Sequence, residues 1–335
     1  MTVALVADAG RVRGLGHVMR CLALAEQLAP RGLDPVFVAD LADLPWAVAR
    51  LAERDLTWVP PGDDPAGTVL GLAPAAAVLD SYHLPESVGH RLRAAGVPVL
   101  AIVDGDSRPH PADLYLDQNL GATPDALPGP GLAGLRYALH RADVVRHRPA
   151  APRTDDATPP RVLAFFGGTD PFAAAPVLAG ALAATGVPYE ATVVAATPEL
   201  AARVRAVPGP HEVIGPSDEL PRLVTGADLV VAASGTSAWE LACLGAAAAL
   251  VCVVDNQEVG YARAVATGAV AGLGRLSDLR TDPSTAVPVL RRLLTDPAER
   301  QRLRAAAWHL VDGAGAARVA DALAGLIVAV GSPRM

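Results

Sequence analysis

The chain has 335 residues, 51% of them apolar, with a formal net charge of −7 and a pI near 5.6. That length suits two domains, each large enough to bury a sizeable core. The acidic balance argues against a nucleic-acid partner, which calls for a basic face, but not against an anionic ligand, because a nest of backbone N–H groups holds phosphate without net positive charge.

The first predicted strand, residues 3–6, runs into Gly14-Leu15-Gly16-His17, with Arg20 close behind, and then into a helix over 18–29. A glycine-rich strand-to-helix turn brings a ligand close to backbone N–H groups and the positive end of a helix. His17 in the first helical turn stands where the dipole favours the neutral ring, and neutral imidazole accepts a proton near neutral pH. It is the candidate base; the alternative is a histidine that caps or packs the turn. Strands at 35–39, 77–79, 99–103 and 114–116 follow, with helices at 44–53 and 85–95 between them. This order predicts a parallel, doubly wound sheet with ligands at the carboxyl ends of its strands.

Asp80-Ser81-Tyr82-His83 stands at one such end. Asp80 suits orienting a protonated ring or binding sugar hydroxyls, and Tyr82 suits stacking on a sugar or hydrogen-bonding it. A plain turn or cap role for Asp80 weighs equally. Asp104-Gly105-Asp106 ends the next strand. Carboxylates this close raise one pKa by repulsion or bind a divalent cation, though the sequence offers no third ligand. Asp117-Gln118-Asn119 adds polar groups after the following strand. His83, His90, His110, His140, His147, His211 and His309 form no metal-like pair and read as surface or core residues.

Residues 148–161, rich in proline and without periodicity, form a predicted linker between domains at 1–147 and 162–330. Strands are expected at 162–166, 189–194, 212–214, 229–232 and 248–253, and helices at 171–184, 198–207, 218–224, 237–244, 257–266, 297–307 and about 314–330. The turn Gly167-Gly168-Thr169-Asp170 leads into Pro171. Asp170 as N-cap with Pro171 at the first helical position explains it structurally, and amides of Gly168 and Thr169 facing a phosphate explain it functionally. Ser234-Gly235-Thr236-Ser237 is the stronger anion site. Small residues admit a pyrophosphate to the backbone, the hydroxyls add donors, and Glu240, one turn on, suits ribose hydroxyls. The pattern is neither GxGxxG nor a P-loop, which counts against NAD- and ATP-type ligands. Asn256 and Gln257 close the next strand.

Cys21, Cys243 and Cys252 lie in apolar stretches at spacings that fit neither zinc nor disulfides, and read as small core residues. The chain enters its first strand without a basic start or cleavage-like site, and its longest apolar run, 241–254, is too short to span a bilayer. These features predict a soluble cytoplasmic protein without stable membrane insertion. Two glycine turns in two halves predict a ligand held between two domains.

Taken in order, Gly14-Leu15-Gly16-His17 with Arg20, Asp80-Ser81-Tyr82, Asp104, Asn119, Tyr137-Ala138-Leu139 with Arg141, Gly167-Gly168-Thr169-Asp170, Ser234-Gly235-Thr236 with Glu240, and Asn256-Gln257 resemble the UDP-sugar hydrolases of pseudaminic acid biosynthesis. That group belongs with the spore-coat-polysaccharide type of glycosyltransferase-like proteins. The likeness runs from Val3 to about Gly268. It implies a GT-B fold, two Rossmann-like domains facing across a cleft with the donor nucleotide mainly on the second. It also implies inverting hydrolysis at the anomeric carbon, needing neither metal nor cofactor, with a UDP-linked acetamido, deoxy sugar as substrate. The family's catalytic histidine falls on His17 and its active-site tyrosine on Tyr82, with Asp80 and Asp104 beside them. Gly14, Gly16, Arg20, Asn119, Asn256 and Gln257 fall in the sugar site. Gly168, Thr169, Ser234, Gly235, Thr236 and Glu240 fall in the nucleotide site, with uracil preference assigned to backbone near Val213 and Ile214. The chain departs from the family at Asp104-Gly105, where two adjacent acids are usual. An inverting glycosyltransferase using the same site is the alternative, and a non-enzymatic nucleotide-sugar-binding regulator is a further one.

Overall fold

The computed structural model describes residues 1–9, 16–105 and 110–331. Gly14, Leu15 and Asp106 therefore lie outside the described residues. The chain divides into two compact units, Met1–Ala142 with Gly313–Met335, and Asp143–Asp312.

In the first unit, β1 (Thr2–Ala7), β2 (Asp34–Val38), β3 (Thr57–Val59), β4 (Ala76–Asp80), β5 (Val99–Ile102), β6 (Leu114–Asp117) and β7 (Gly131–Ala133) form a parallel sheet in the order β3-β2-β1-β4-β5-β6-β7. Helices α1 (Gly16–Leu28), α2 (Pro45–Ala52), α3 (Pro65–Gly71) and α4 (Glu86–Ala94) connect its strands. β1 and β4 are buried along nearly their whole length, as strands covered on both faces must be, which is why they read as unbroken apolar runs. On α1, Cys21, Leu24, Ala25 and Leu28 recur at helical spacing and are fully buried, each leucine contributing about 1.5–3 kcal/mol. Strand order reverses between β1 and β4, so their carboxyl ends meet at a topological switch point.

α5 (Ala142–His147) leads towards the second unit. There β8 (Arg161–Phe165), β9 (Glu190–Val194), β10 (His211–Ile214), β11 (Leu229–Ala233), β12 (Ala248–Cys252) and β13 (Val270–Arg275) form a second parallel sheet, ordered β10-β9-β8-β11-β12-β13. Its switch point lies between β8 and β11. The helices are α6 (Ala174–Ala183), α7 (Pro198–Arg205), α8 (Leu220–Gly226), α9 (Ser237–Cys243), α10 (Glu258–Ala266), α11 (Leu276–Thr281), α12 (Val287–Thr295) and α13 (Pro297–Leu310).

The predicted linker is fastened to the second unit. Arg148 donates to the carbonyls of Cys243 and Trp308 and lies 4.5 Å over the Trp308 ring. Arg153 pairs with buried Asp228. Asp156 accepts from Arg300 at 2.9 Å and Arg304 at 2.5 Å. Burial alone raises the Asp156 carboxyl, but the two guanidinium groups overcome it and hold it below the usual range.

The expected second domain at 162–330 needs one correction. α14 (Gly315–Gly331) belongs to the first unit, where Ala316, Val319, Ala320 and Leu323 join the core around α1. Gly315 permits this seat, since a Cβ there would lie 2.2 Å from the Ala138 carbonyl oxygen. By length and composition, Pro297–Val330 is apolar enough to cross a membrane. The helix is nevertheless broken at 311–314, and α14 spends its buried face on that core.

Candidate active site

In the first unit the carboxyl ends of β1, β4, β5 and β6 bring together Asp8, Asp80, Asp104 and Asn119, and α1 adds His17 and Arg20 from one helical face, three residues apart. His17 Nδ1 lies 2.6 Å from Asp80 Oδ1. The Asp80 carboxylate is completely buried and can only accept, so Nδ1 carries the proton and Nε2 keeps its lone pair. In that tautomer the 3.0 Å approach of Arg20 Nη2 to Nδ1 sets two donors side by side, held there by the Asp80 carboxylate they share.

Arg20 is the hub. Its Nε donates to Asp80 Oδ2 at 2.5 Å, and its Nη2 to Asp80 Oδ1. Nη1 and Nη2 also reach Asp104 Oδ1 and Oδ2 at 2.8 and 3.0 Å. Asp104 accepts further from Asn119 Nδ2 at 3.1 Å and from the Tyr82 hydroxyl. The Tyr82 ring meets His17 edge-on, centroids 4.8 Å apart at 83°. Burial disfavours the Arg20 cation, yet the two carboxylates win and raise its pKa. Burial likewise opposes the Asp104 anion, but Arg20, Tyr82 and Asn119 bring its carboxyl down to about 2. Burial and the Asp104 charge together push the Tyr82 phenol up.

These contacts bear on two expectations. Asp104 is not raised by a neighbouring acid; the guanidinium decides its state, and Asp106 lies outside the described residues. Both Asp80 side-chain oxygens are engaged by His17 and Arg20, with Cys21 Sγ also 3.7 Å from Oδ2, so its carboxylate faces α1. Among the described residues no cluster of three histidines, cysteines or acids is placed to hold a metal. Gly16 opens α1 with nothing crowding its Cβ position, while Gly14 lies outside the described residues. Asn119 Nδ2 also donates to Asp117 at 2.9 Å, which turns its carbonyl oxygen away from both acids.

In the second unit, Gly168 and Thr169 follow β8, and Ser234, Gly235 and Thr236 follow β11, adjacent strands at the switch point. Gly167, Gly168, Thr169 and Thr236 are exposed, and Gly167 has φ +80°. The helix expected from Pro171 starts at Ala174, because Asp170 and Ala173 adopt left-handed φ of 40° and 49°. Asp170 still caps it from a distance, accepting from the amides of Ala174 and Ala175 at 2.8 and 3.0 Å. Gln257 Oε1 accepts from Val253 N–H at 3.0 Å, which fixes the amide. Its Nε2 then stands 3.6 Å from the place of a Cβ on Gly235. Glu240 lies on α9, Asn256 is exposed after β12, and Ile214 ends β10, separated from the switch point by β9. A cavity of about 450 Å³ lined by Arg161, Glu190, Glu212 and Arg222 opens instead near the amino ends of β8–β10.

No protein-family model and no curated protein matches the chain. Solved structures do. MurG of Acinetobacter baumannii superposes with a TM-score of 0.72 at 17% identity, over 97% of this chain and 99% of that one. The spinosyn rhamnosyltransferase SpnG complexed with thymidine diphosphate gives 0.66 at 19% identity, over 97% and 100%. A proposed UDP-N-acetylglucosamine 2-epimerase from Listeria monocytogenes gives 0.66 at 12% identity, over 96% and 95%.

The fold is GT-B.

Within this GT-B chain, sequence reasoning missed Asp8, and it named Ser81 and His110 without giving either a part of its own. Asp8 carried the same signal as Asp80, an acid at the carboxyl end of an apolar strand. Its partners lie more than seventy residues away and left no local mark.

Proposed function

We propose that this chain transfers a sugar from a nucleoside diphosphate to an oxygen nucleophile with inversion, as a glycosyltransferase. The 2.6 Å contact between His17 Nδ1 and buried Asp80 carries the reading, because it leaves Nε2 as a fixed base. The nucleophile's oxygen bonds to the anomeric carbon as the bond from that carbon to the diphosphate oxygen breaks. The electron pair of the broken bond leaves on the diphosphate, and the nucleophile's proton passes to Nε2. Asp80 holds the tautomer and steadies the imidazolium that forms. Asp104 positions Arg20 and Tyr82. Gly16, Arg20, Asn119 and Asn256 belong to the sugar. The amides and hydroxyls of Gly168, Thr169, Ser234, Gly235 and Thr236, with Gln257 Nε2, receive the diphosphate; Glu240 takes the ribose hydroxyls and the Ile214 backbone lies towards the base. The GT-B fold, and a rhamnosyltransferase of that fold solved with thymidine diphosphate, support a nucleotide-sugar donor.

The ordered motif set from Gly14 to Gln257 favours a second reading, in which water is the nucleophile and a UDP-linked acetamido, deoxy sugar is hydrolysed. One assay separates the two. The protein is incubated in ¹⁸O-water with chelator and UDP-6-deoxy-AltdiNAc or TDP-sugars, with and without a cell extract as acceptor source, and products are weighed by mass spectrometry. Nucleotide release that waits for an acceptor supports transfer. Rapid release with heavy oxygen in the sugar establishes hydrolysis and displaces the first reading. Absence of release together with absence of UDP or TDP binding removes both.

A further inference from the structure

The turn that carries Tyr82 is held by residues outside the proposed transfer machinery. Ser81 Oγ accepts from the amides of His83 and Leu84 at 3.0 and 2.8 Å. With both lone pairs taken, its own proton goes to Asp8 Oδ1 at 2.7 Å. Asp8 Oδ2 accepts from the Tyr82 amide at 2.8 Å. His110 Nε2 donates to the Ser81 carbonyl at 3.0 Å. The Asp8 amide itself donates to the Asp80 carbonyl at 3.1 Å, which ties the clamp to the strand that orients His17. Asp8 is buried, with 9% exposure.

This pattern requires a carboxylate. Two donors, the Ser81 hydroxyl and the Tyr82 amide, converge on residue 8, and a carboxylate accepts both. An amide side chain would turn an N–H towards one of them. It could not donate to Ser81 Oγ instead, whose lone pairs are filled. An Asp8→Asn variant therefore keeps its size and loses one hydrogen bond whichever way it turns.

We propose that Asp8 is a positioning residue for the transfer. It sets where Tyr82 stands, and so places the ring packed on His17 and the hydroxyl given to Asp104. The inference rests on the proposed role of His17 and Tyr82 at the reacting sugar.

The test compares Asp8→Asn and Ser81→Ala in the wild-type and Tyr82→Ala backgrounds. It measures kcat, KM for the nucleotide sugar and melting temperature, together with NMR of tyrosine-labelled full-length protein, whose five tyrosines are few enough to resolve. Asp8→Asn is expected to lower kcat about tenfold with KM within about twofold. That loss disappears when Tyr82 is already alanine, with neither ring nor hydroxyl left to place, as coupled residues require. Ser81→Ala, which leaves the Asp8 bond to the Tyr82 amide, costs less than about threefold. The Tyr82 signals move in Asp8→Asn and those of Tyr261, in the other unit, do not. An equal loss of kcat in both backgrounds overturns the proposal, as do an unchanged kcat and unmoved Tyr82 signals in folded protein. If the wild type turns over no nucleotide sugar, the functional reading has failed. The NMR arm then decides the clamp by itself: moved signals uphold it and unmoved signals overturn it.

Discussion

At the switch point of the first unit, one guanidinium is shared by two carboxylates, and each oxygen of Asp80 and Asp104 has a donor. At the switch point of the second, the chain offers glycine, serine and threonine, and the backbone at Gly167, Gly168 and Thr169 is open to solvent. Both lie at the carboxyl ends of parallel strands, so topology alone does not distinguish them. Proton transfer needs a group whose tautomer and direction are fixed beforehand, and burial among paired charges fixes them. Anion binding needs access to amides, where a side chain is an obstruction. The first region is therefore expected to govern kcat and the second the nucleotide affinity.

The largest effect should come from His17→Ala. Loss of the base is expected to reduce kcat by about 10²–10⁴-fold, with UDP or TDP affinity by calorimetry unchanged. A parallel loss of nucleotide binding would break the division of labour. Next comes acid stability. The Asp104 carboxyl is lowered to about 2 against burial by Arg20, Tyr82 and Asn119. It therefore contributes stability above the unfolded carboxyl pKa, and that contribution drains away as pH falls from about 4 through 2. Its size is about 2 kcal/mol. Urea unfolding at pH 5 and pH 2 should show that loss in the wild type and a smaller one in Asp104→Asn; identical slopes would sever Asp104 from the effect. In the second region, Gly235→Val places a branched side chain where a Cβ already stands 3.6 Å from Gln257 Nε2. Nucleotide Kd should rise about tenfold, or about 1.4 kcal/mol, with kcat at saturation little changed. The smallest effect is that of Ser234→Ala, which removes one hydroxyl donor. It should raise the nucleotide KM about threefold, one neutral hydrogen bond's worth, and no change at all would leave the backbone as the sole phosphate ligand there.

The central strands were legible because burial on both faces demands unbroken apolar runs, as in β1 and β4. Edge elements were not. β3 is three residues long, and β7 sits in a stretch dense with glycine and proline. β13 carries Gly272 and Gly274 within it. The first is required because the Tyr261 hydroxyl lies 2.5 Å from its Cβ position, the second because φ is +95°. Such glycines look like loop from the sequence and are packing from the structure. α11 and α12 passed unnoticed between prolines and aspartates. In the candidate site, His17, Asp80, Tyr82 and Asp104 were found by their places at strand and helix ends. What each carboxylate does was not, since Arg20 assigns those parts through contacts sixty and eighty-four residues away. The same distance hid which core α14 would join: its apolar stripe announces a helix but names no partner.

That last helix makes the second unit an insertion within the first, entered at Ala142 and left at Asp312. On the ribosome, the contiguous 143–312 segment is complete before Ala316, Val319, Ala320 and Leu323 emerge, so the unit begun first is the one finished last. Until those four side chains arrive, α1, which holds His17 and Arg20, has part of its apolar face open to water. The nascent chain thus exposes its own proposed catalytic helix until the end of synthesis, and a stop codon just after Asp312 would spare the second unit while leaving the first unclosed.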